Sequence, residues 1–320
     1  MNKVELPGAR RPTTQLGFGC AYLSPENVSV LDAAYDAGIR HFDVARSYGS
    51  GLTEGMLGRF LKRHRADITV TSKYGIRPPF SHPLHAAARA ILKPLTRRVR
   101  RTPVIESRLG AAVLSNQKAA FNGAEAASSL NLSLRNLGVD RLDLFLMHEA
   151  EPADLADPSL LAALHDAVRA GKIGAFGVGC KAVHLGRLRA QRPGFCGVLQ
   201  HDWNPLQSVP DYPGSAQILY RVYGEPARQL RSEFSADAAL RRQWSDAIGL
   251  DLAAPGLLEQ LFLHATVALR PDALILFSST QAQHVLANVR AASEKTLEPA
   301  ALRLVEFMRT RRSSKSGDAR

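Results

Sequence analysis

Four residues that can take part in proton transfer stand at or near the ends of apolar runs in this sequence. An acid, Asp43, and a phenol, Tyr48, lie in the stretch GIRHFDVARSYG. Lys73 lies in ITVTSKYG, and His148 ends the run LDLFLMH. Carboxylate, phenol, ammonium and imidazole groups are the usual carriers and partners in acid–base catalysis. Each residue alone is also compatible with a structural role: a turn tyrosine, a lysine reaching solvent, a satisfied histidine at a rim.

The four residues meet in space if the apolar runs are neighbouring strands of one sheet. Eight such runs cover residues 16–19, 39–42, 68–71, 142–147, 174–178, 197–199, 218–219 and 274–277. Helices are predicted between most of them, at residues 25–37, 53–64, 124–137, 158–170, 183–190 and 281–292. This alternation in a chain of 320 residues favours a closed α/β barrel, the (β/α)8 TIM barrel, over an open sheet. Catalytic groups gather at the carboxyl ends of such strands, where the four residues stand.

Two segments exceed a minimal barrel. Residues 76–118, after the third strand, are rich in arginine and proline with Glu106 as the only acid. We expect a lid or specificity loop there, favouring anionic or polyol-like substrates, because long loops are often functional. Residues 225–269, after the seventh strand, predict two extra helices, one of them at 257–268, whereas 201–217 is too short and proline-rich for a full helix. The domain prediction is one barrel over residues 1–310, followed by a disordered basic tail at 311–320.

Composition narrows the possible partners. The formal charge of +12 is concentrated in the arginine-rich stretch 97–101 and in the tail, without interleaved aromatic residues, so nucleic acid is an unlikely partner. Cys20, Cys180 and Cys196 are too few for a disulfide framework and form no C-x-x-C pair, so no metal site is predicted. No window approaches the length of a membrane span and no apolar signal core follows Met1, which predicts a cytoplasmic protein with no membrane partner. The oligomeric state is unknown at this stage.

Three motifs resemble the aldo-keto reductase family of NAD(P)H-dependent oxidoreductases. The family motif G-I-R-x-F-D-T-A-x-x-Y-G is matched by GIRHFDVARSYG, with Val44 in place of the usual threonine. The motif T-K-x-G is matched by TSKYG, and the strand that ends in histidine by LFLMH. The resemblance extends from residue 16 to about residue 292. It implies that Asp43, Tyr48, Lys73 and His148 are a catalytic tetrad, the name used for these four residues below.

The resemblance also implies a reaction, transfer of a hydride between a nicotinamide cofactor and the carbonyl of an aldehyde, ketone or aldose. A phenol has a pKa of about 10, so Tyr48 needs a neighbouring ammonium to become an effective proton donor near neutral pH. Lys73 would supply that charge, and Asp43 would hold the lysine charged and oriented. His148 would hydrogen-bond the carbonyl oxygen. The alternative is a nonenzymatic nucleotide-sensing or partner-binding protein on the same barrel.

Cofactor residues follow from the resemblance at the later strands. Gly179 and Cys180 occupy the loop where family members usually have Ser-Asn against the nicotinamide carboxamide. Gln200 resembles the glutamine that binds the carboxamide, and Tyr220 the aromatic residue that stacks on the nicotinamide ring. Residues 177–182, GVGCKA, also fit a dinucleotide-binding G-x-G-x-x-A turn with Asp202 about twenty residues on, but they lie deep in the alternating array and open no separate domain.

The stretch FSSTQAQHVLAN resembles the adenosine-phosphate segment of the family. It implies cofactor contacts by Ser278, Ser279, Thr280, His284 and Asn288. A helix N-terminus there would offer backbone N–H groups to phosphate. Ser278 and His284 stand where the family often has lysine and arginine against the 2′-phosphate, which weakens the argument for NADPH over NADH, although Arg290 nearby could substitute. NADPH is still favoured, and NADH remains possible.

Overall fold

Eight strands pair in parallel and close into a barrel in the computed structural model, which describes residues 1–78, 117–207 and 212–317. The barrel strands follow one another in chain order around the ring. They are β3 (Leu16–Gly19), β4 (His41–Asp43), β5 (Thr69–Tyr74), β8 (Leu142–His148), β9 (Ile173–Cys180), β10 (Val198–Asp202), β11 (Ala216–Tyr220) and β12 (Leu274–Phe277). Each of the eight predicted runs overlaps one of these strands, which confirms the (β/α)8 barrel.

Two short antiparallel pairs flank the barrel strands. Strands β1 (Lys3–Val4) and β2 (Thr13–Thr14) pair just before β3, at the amino end of the barrel. Strands β6 (Ile76–Arg77) and β7 (Gln117–Lys118) pair just beyond β5, so the long basic segment leaves and rejoins the barrel at one place. The lid is predicted over residues 76–118, and its residues 79–116 lie outside the described residues.

The helices surround the barrel. They are α1 (Val30–Asp36), α2 (Thr53–His64), α3 (Gly123–Leu137), α4 (Pro158–Arg169), α5 (Leu185–Gln191), α6 (Gly224–Ala236), α7 (Ala238–Ile248), α8 (Leu257–Leu269), α9 (Ala282–Ser293) and α10 (Glu298–Gly317). Their ends follow local chemistry, as in α3, where the Asn122 side chain accepts from the Glu125 backbone N–H and Gly138 ends the helix at φ 65°. Helix α1 begins at Val30, five residues later than predicted, because Asn27 Oδ1 accepts from Ser24 N at 2.8 Å and holds a turn there.

The periphery has more helices than the sequence predicts. The region after β11 has three helices, α6, α7 and α8, because Asp237 accepts from the Leu240 backbone N–H and starts α7 as a separate helix. Helix α10 is additional, and it continues through Gly317. Arg311 explains part of this, since its Nη1 lies 2.7 Å from Glu233 Oε2 and its guanidinium lies 5.7 Å from the Trp244 ring centroid. No helix occurs at 203–207 or 212–215, as predicted.

The core has three parts. The largest fills the space between strands and helices, and a second lies among α6, α7, α8 and α10 around Phe234 and Trp244. The third lies within the barrel, where Leu144, Val198 and Ile218 pack with residues of the amino-terminal segment. Apolar filling at the amino end leaves the carboxyl end of the barrel open to polar chemistry. Among the described residues, no helix is both long and apolar enough to cross a membrane.

Candidate active site

The barrel brings the predicted tetrad together at the carboxyl ends of three adjacent strands. Asp43 ends β4, Lys73 is the second-last residue of β5, and His148 ends β8. Strand β5 pairs with both β4 and β8, so the three side chains start from neighbouring positions on one rim. Tyr48 comes from the turn that follows β4. The convergence expected from the sequence is therefore present in the structure.

Lys73 is the centre of this cluster. Its side chain is 1% exposed, and its Nζ donates to Asp43 Oδ1, to Val44 O at 3.3 Å and to Tyr48 Oη at 3.3 Å. Burial lowers the pKa of Lys73, but the charge of Asp43, the nearby Tyr48 phenol and the hydrogen bonds to both raise it, and the net direction is upward. The ammonium is therefore charged at neutral pH, which a buried lysine without an acid would not be.

The Asp43 carboxylate is shared between two partners. Its Oδ1 accepts from Lys73, and its Oδ2 accepts from Gln200 Nε2 at 2.8 Å. Gln200 comes from β10, which lies on the other side of the barrel from β4. The glutamine that the sequence assigns to the cofactor carboxamide thus also orients Asp43, and its amide nitrogen is already engaged.

Tyr48 lies at the start of the turn Tyr48–Gly51, with its ring 5.0 Å from Lys73 Nζ. Burial raises the pKa of the phenol, and Asp43 adds to this, while the charge and hydrogen bond of Lys73 lower it; the net direction is upward. Lys73 lowers the pKa of Tyr48, as expected from the sequence, but burial raises this pKa by more. The phenol therefore retains its proton at neutral pH.

Arg46 fixes the segment between Asp43 and Tyr48. Its Nη1 donates to Ser129 Oγ on α3 at 2.5 Å, and its backbone N–H donates to Lys73 O at 3.4 Å. The guanidinium lies near Glu54 and Glu125, whose charges partly offset the lowering of its pKa by burial. The turn that presents Tyr48 is thereby tied to both β5 and α3.

His148 faces Tyr48 edge-on, with ring centroids 5.8 Å apart and planes at 80°. Burial, and then the charge of Lys73, lower the pKa of His148 to about 3, so the imidazole is neutral at physiological pH. Its Nδ1 is buried without a hydrogen-bond partner among the described residues. Nε2 is the ring nitrogen left to meet an oxygen in the cavity that His148 lines.

A cavity of about 700 Å³ opens above this cluster. Asp43, Tyr48 and His148 line it, while Lys73 lies behind them. Its volume is within the range typical of small-molecule and cofactor sites. No group of three or more His, Cys, Asp or Glu side chains in the described ranges is arranged to hold a metal ion.

The predicted cofactor residues divide into two sets. Four of them line the cavity: Gly179, Gln200, Tyr220 and Ser278. Cys180 is buried beside them, and its carbonyl accepts from Tyr220 Oη at 3.4 Å.

The other four, Ser279, Thr280, His284 and Asn288, do not line the cavity. Ser279 bonds the backbone of Gln281 before α9, and Asn288 donates to the hydroxyl of Tyr223, which does line it. Arg290 lies about two turns into α9 from its start.

Sequence reasoning missed several cavity-lining side chains, of which the charged ones are Glu149, Glu151, Lys181, Asp202 and Arg221. A signal for three of them was available. Glu149, Lys181 and Arg221 each follow directly after the last residue of a barrel strand, β8, β9 and β11 respectively. In a barrel of this kind, the residue after a strand lies at the same rim as the residue that ends it.

The sequence profile described as "Aldo/keto reductase family" matches residues 15–206, more than half of the chain. The chain belongs to this family. A D-threo-aldose 1-dehydrogenase from a Pseudomonas species is 31% identical over 177 residues, covering 51% of this chain and 49% of that relative. An aldo-keto reductase from Strobilurus tenacellus is 29% identical over 192 residues, covering 59% of this chain and 44% of its own length. The matches thus span about half the length of these curated relatives.

Solved structures of family members share the fold over nearly the whole chain. The holo form of an aldo-keto reductase from Bacillus halodurans superposes with a TM-score of 0.64 at 18% identity, covering 95% of this chain and 96% of that one. An aldo-keto reductase from Klebsiella pneumoniae in complex with NADPH gives a TM-score of 0.60 at 19% identity, covering 92% and 91%. At such identities the likeness concerns the fold alone.

The residues of this aldo-keto reductase family member fit a nicotinamide cofactor. Gly179 leaves space beside Gln200, since a Cβ there would lie 3.3 Å from Gln200 Oε1. With Nε2 bound to Asp43, Oε1 is the amide atom left to accept from a carboxamide NH2. Lys181 and Arg221 provide cations for phosphate, and neither has an ion-pair partner among the residues described. Gln200, Tyr220, Lys181 and Arg221 are therefore the residues that would hold the cofactor.

Proposed function

We propose that this protein is an NAD(P)H-dependent oxidoreductase that reduces the carbonyl of an aldehyde, ketone or aldose, with NADPH favoured. The observation that carries the proposal is the hydrogen bond from the charged Lys73 ammonium to the Tyr48 phenol inside a cavity. The nicotinamide, when bound, supplies the hydride, and the chain supplies positioning and the proton. The Pseudomonas relative named as an aldose dehydrogenase supports a sugar-like substrate, without fixing it.

The roles of the side chains follow from their geometry. Tyr48 keeps its proton until charge develops on the carbonyl oxygen, and then donates it. Lys73 stabilises the phenolate that this leaves, because its ammonium already donates to the phenol oxygen. Asp43, held by Gln200, keeps Lys73 charged. The neutral imidazole of His148 donates a hydrogen bond to the carbonyl oxygen and fixes its direction.

The test is a screen of aldehydes, ketones and aldoses with NADPH and with NADH. Turnover is measured by the change in nicotinamide absorbance. Tyr48→Phe removes the proton and keeps the ring, so we expect kcat to fall by roughly 10²- to 10⁴-fold, the usual contribution of a positioned acid. Nucleotide binding, measured by titration of protein fluorescence, should change little in this variant. Turnover retained by Tyr48→Phe would show that the donor is another group. A stable nucleotide complex without turnover of any carbonyl compound would favour the nucleotide-sensing alternative.

A further inference from the structure

The charged side chains of the cavity are segregated between its two halves. The half built on β9 to β12 contributes Lys181, His184 and Arg221, together with Asp202, which is engaged as acceptor for the Ala182 backbone N–H at 2.8 Å. In the half built on β3, β4, β5 and β8, beyond the tetrad itself, the described charged residues that line the cavity are Glu149 and Glu151. Phosphates of a nucleotide suit the basic half. The acidic half, beside the tetrad, is then the half that meets the substrate.

Glu149 is the acid next to the proposed chemistry. It follows His148 directly, and its backbone has φ 52°, a left-handed conformation that is strained for a residue other than glycine. The loop after it is anchored: Ala150 is fully buried, and the Glu151 backbone N–H donates to Asp154 Oδ2 at 2.7 Å. Strain held in place by such anchors is typical of residues fixed at a functional site.

Among residues 1–78, 117–207 and 212–317, no cation forms an ion pair with the exposed carboxylate of Glu149. Its charge reaches the cavity: the pKa of Tyr220, whose ring lines the cavity from β11, is raised by burial, Asp202 and Cys180, is lowered by Arg221, and is raised to a smaller extent by Glu149. An anion bound near His148 would therefore meet a like charge that no described cation pairs with, whereas hydroxyl groups would meet an acceptor.

Resting on the proposed function, we propose that Glu149 determines substrate specificity by charge, selecting uncharged hydroxylated carbonyl compounds and rejecting those that carry a carboxylate or phosphate. The long basic segment at residues 76–118 suggested anionic or polyol-like substrates. Of those two classes, the acidic lining next to His148 favours the polyol-like one.

The experiment compares two aromatic aldehydes, 4-carboxybenzaldehyde and 4-hydroxymethylbenzaldehyde, with NADPH as reductant. Their different intrinsic reactivities cancel when the ratio of kcat/KM for the anion to kcat/KM for the alcohol is compared between variants. Glu149→Gln keeps the size of the side chain and removes its charge, and we expect this ratio to rise roughly tenfold, mainly through KM of the anion. Raised salt should increase the wild-type ratio and leave that of the variant nearly constant.

Glu306→Gln is the matched control, because Glu306 is an exposed acid on α10 and its replacement changes net charge by the same amount. An unchanged ratio in Glu149→Gln, or an equal rise in Glu306→Gln, overturns the inference while the proposed function stands. Absence of turnover of both aldehydes, and of glyceraldehyde, by the wild-type protein overturns the proposed function and the inference with it.

Discussion

At the scale of single residues, the site depends on one buried ion pair that serves structure and chemistry together. Lys73 and Asp43 are 1% and 3% exposed at their side chains, so neither is screened by water. Removing one partner of such a pair leaves an isolated buried charge, which costs about 3–5 kcal/mol. Loss of activity in a single variant would therefore confound unfolding with chemistry.

A pair of variants separates the two effects. Lys73→Met should lower the free energy of unfolding by about 3–5 kcal/mol. It should also abolish turnover, because Tyr48 loses the ammonium that opposes the effect of burial on its pKa. Lys73→Met with Asp43→Asn should recover most of the stability, since no charge is left unpaired, yet remain inactive. Denaturant unfolding and single-turnover kinetics measure the two quantities. Recovery of activity in the double variant would contradict the role given to Lys73.

At the scale of elements, the tetrad depends on how closely the helices pack behind the strands. Helix α2 follows the Tyr48 turn, and its residue Glu54 accepts from Ser72 Oγ on β5 at 2.7 Å and from Asn136 Nδ2 on α3 at 3.0 Å. The buried Glu54 carboxylate thereby joins α2, β5 and α3, the elements that carry or support Tyr48 and Lys73. Their spacing is set by the close approach of α2 to α3 at Gly58.

Two glycines of α2 test this packing. A Cβ on Gly58 would lie 2.6 Å from Asn136 O and 2.9 Å from Leu137 O, both backbone atoms that cannot move aside, whereas a Cβ on Gly55 would meet nothing within 4 Å. We expect Gly58→Ala to destabilise the protein by about 1–3 kcal/mol. Gly55→Ala, the matched control, should stabilise it by about 0.5–1 kcal/mol through helix propensity. Equal effects in thermal unfolding would show that α2 and α3 are not in close contact.

At the scale of the whole molecule, the barrel encloses histidines that are held neutral. His41 is fully buried between Thr69 and Thr71, and its ring nitrogens lie 2.9 Å and 3.2 Å from their hydroxyls. Burial, and then the charge of Lys73, lower the pKa of His41 to about 3. The same two causes act on His148, so the Lys73 ammonium influences titration within the barrel as well as at its rim.

Stability should therefore fall as the pH falls. Between the unfolded pKa of about 6.5 and the folded value of about 3, the unfolded chain binds the proton that folded His41 does not, so this contribution is complete above pH 6.5 and is lost towards pH 3. One such group lowers the free energy of unfolding by about 1.4 kcal/mol per pH unit, or by roughly 2 kcal/mol between pH 6.5 and 5.

The measurement is urea unfolding of wild type and His41→Gln at several pH values. The free energy of unfolding of the variant should fall less steeply with falling pH, and the difference in slope should correspond to roughly one bound proton. His165→Gln, on an exposed position of α4, is the control. If both variants reduce the pH dependence of the free energy of unfolding by the same amount, burial of His41 is not the cause of that pH dependence.

The sequence by itself determined the barrel and the chemical type of its site. Periodicity distinguishes strands from helices where apolar residues face one core, and residues 53–64 were predicted with the bounds that α2 has. Likewise, a polar residue directly after an apolar strand indicates the rim, which is how Asp43, Lys73 and His148 were found. The failures were local: the Asn27 side chain accepts from Ser24 N and holds a turn before α1, and the Asp237 side chain accepts from Leu240 N and starts α7.

The tertiary structure alone decided which atoms meet. Gln200 bonds Asp43 across the barrel, and burial outweighs Lys73 in setting the pKa of Tyr48. Both effects depend on distances between residues far apart in the chain and on the water excluded between them, and no local pattern encodes either. The position of Glu149 directly after β8 places it at the same rim as the tetrad, but only the tertiary structure shows that it lines the cavity.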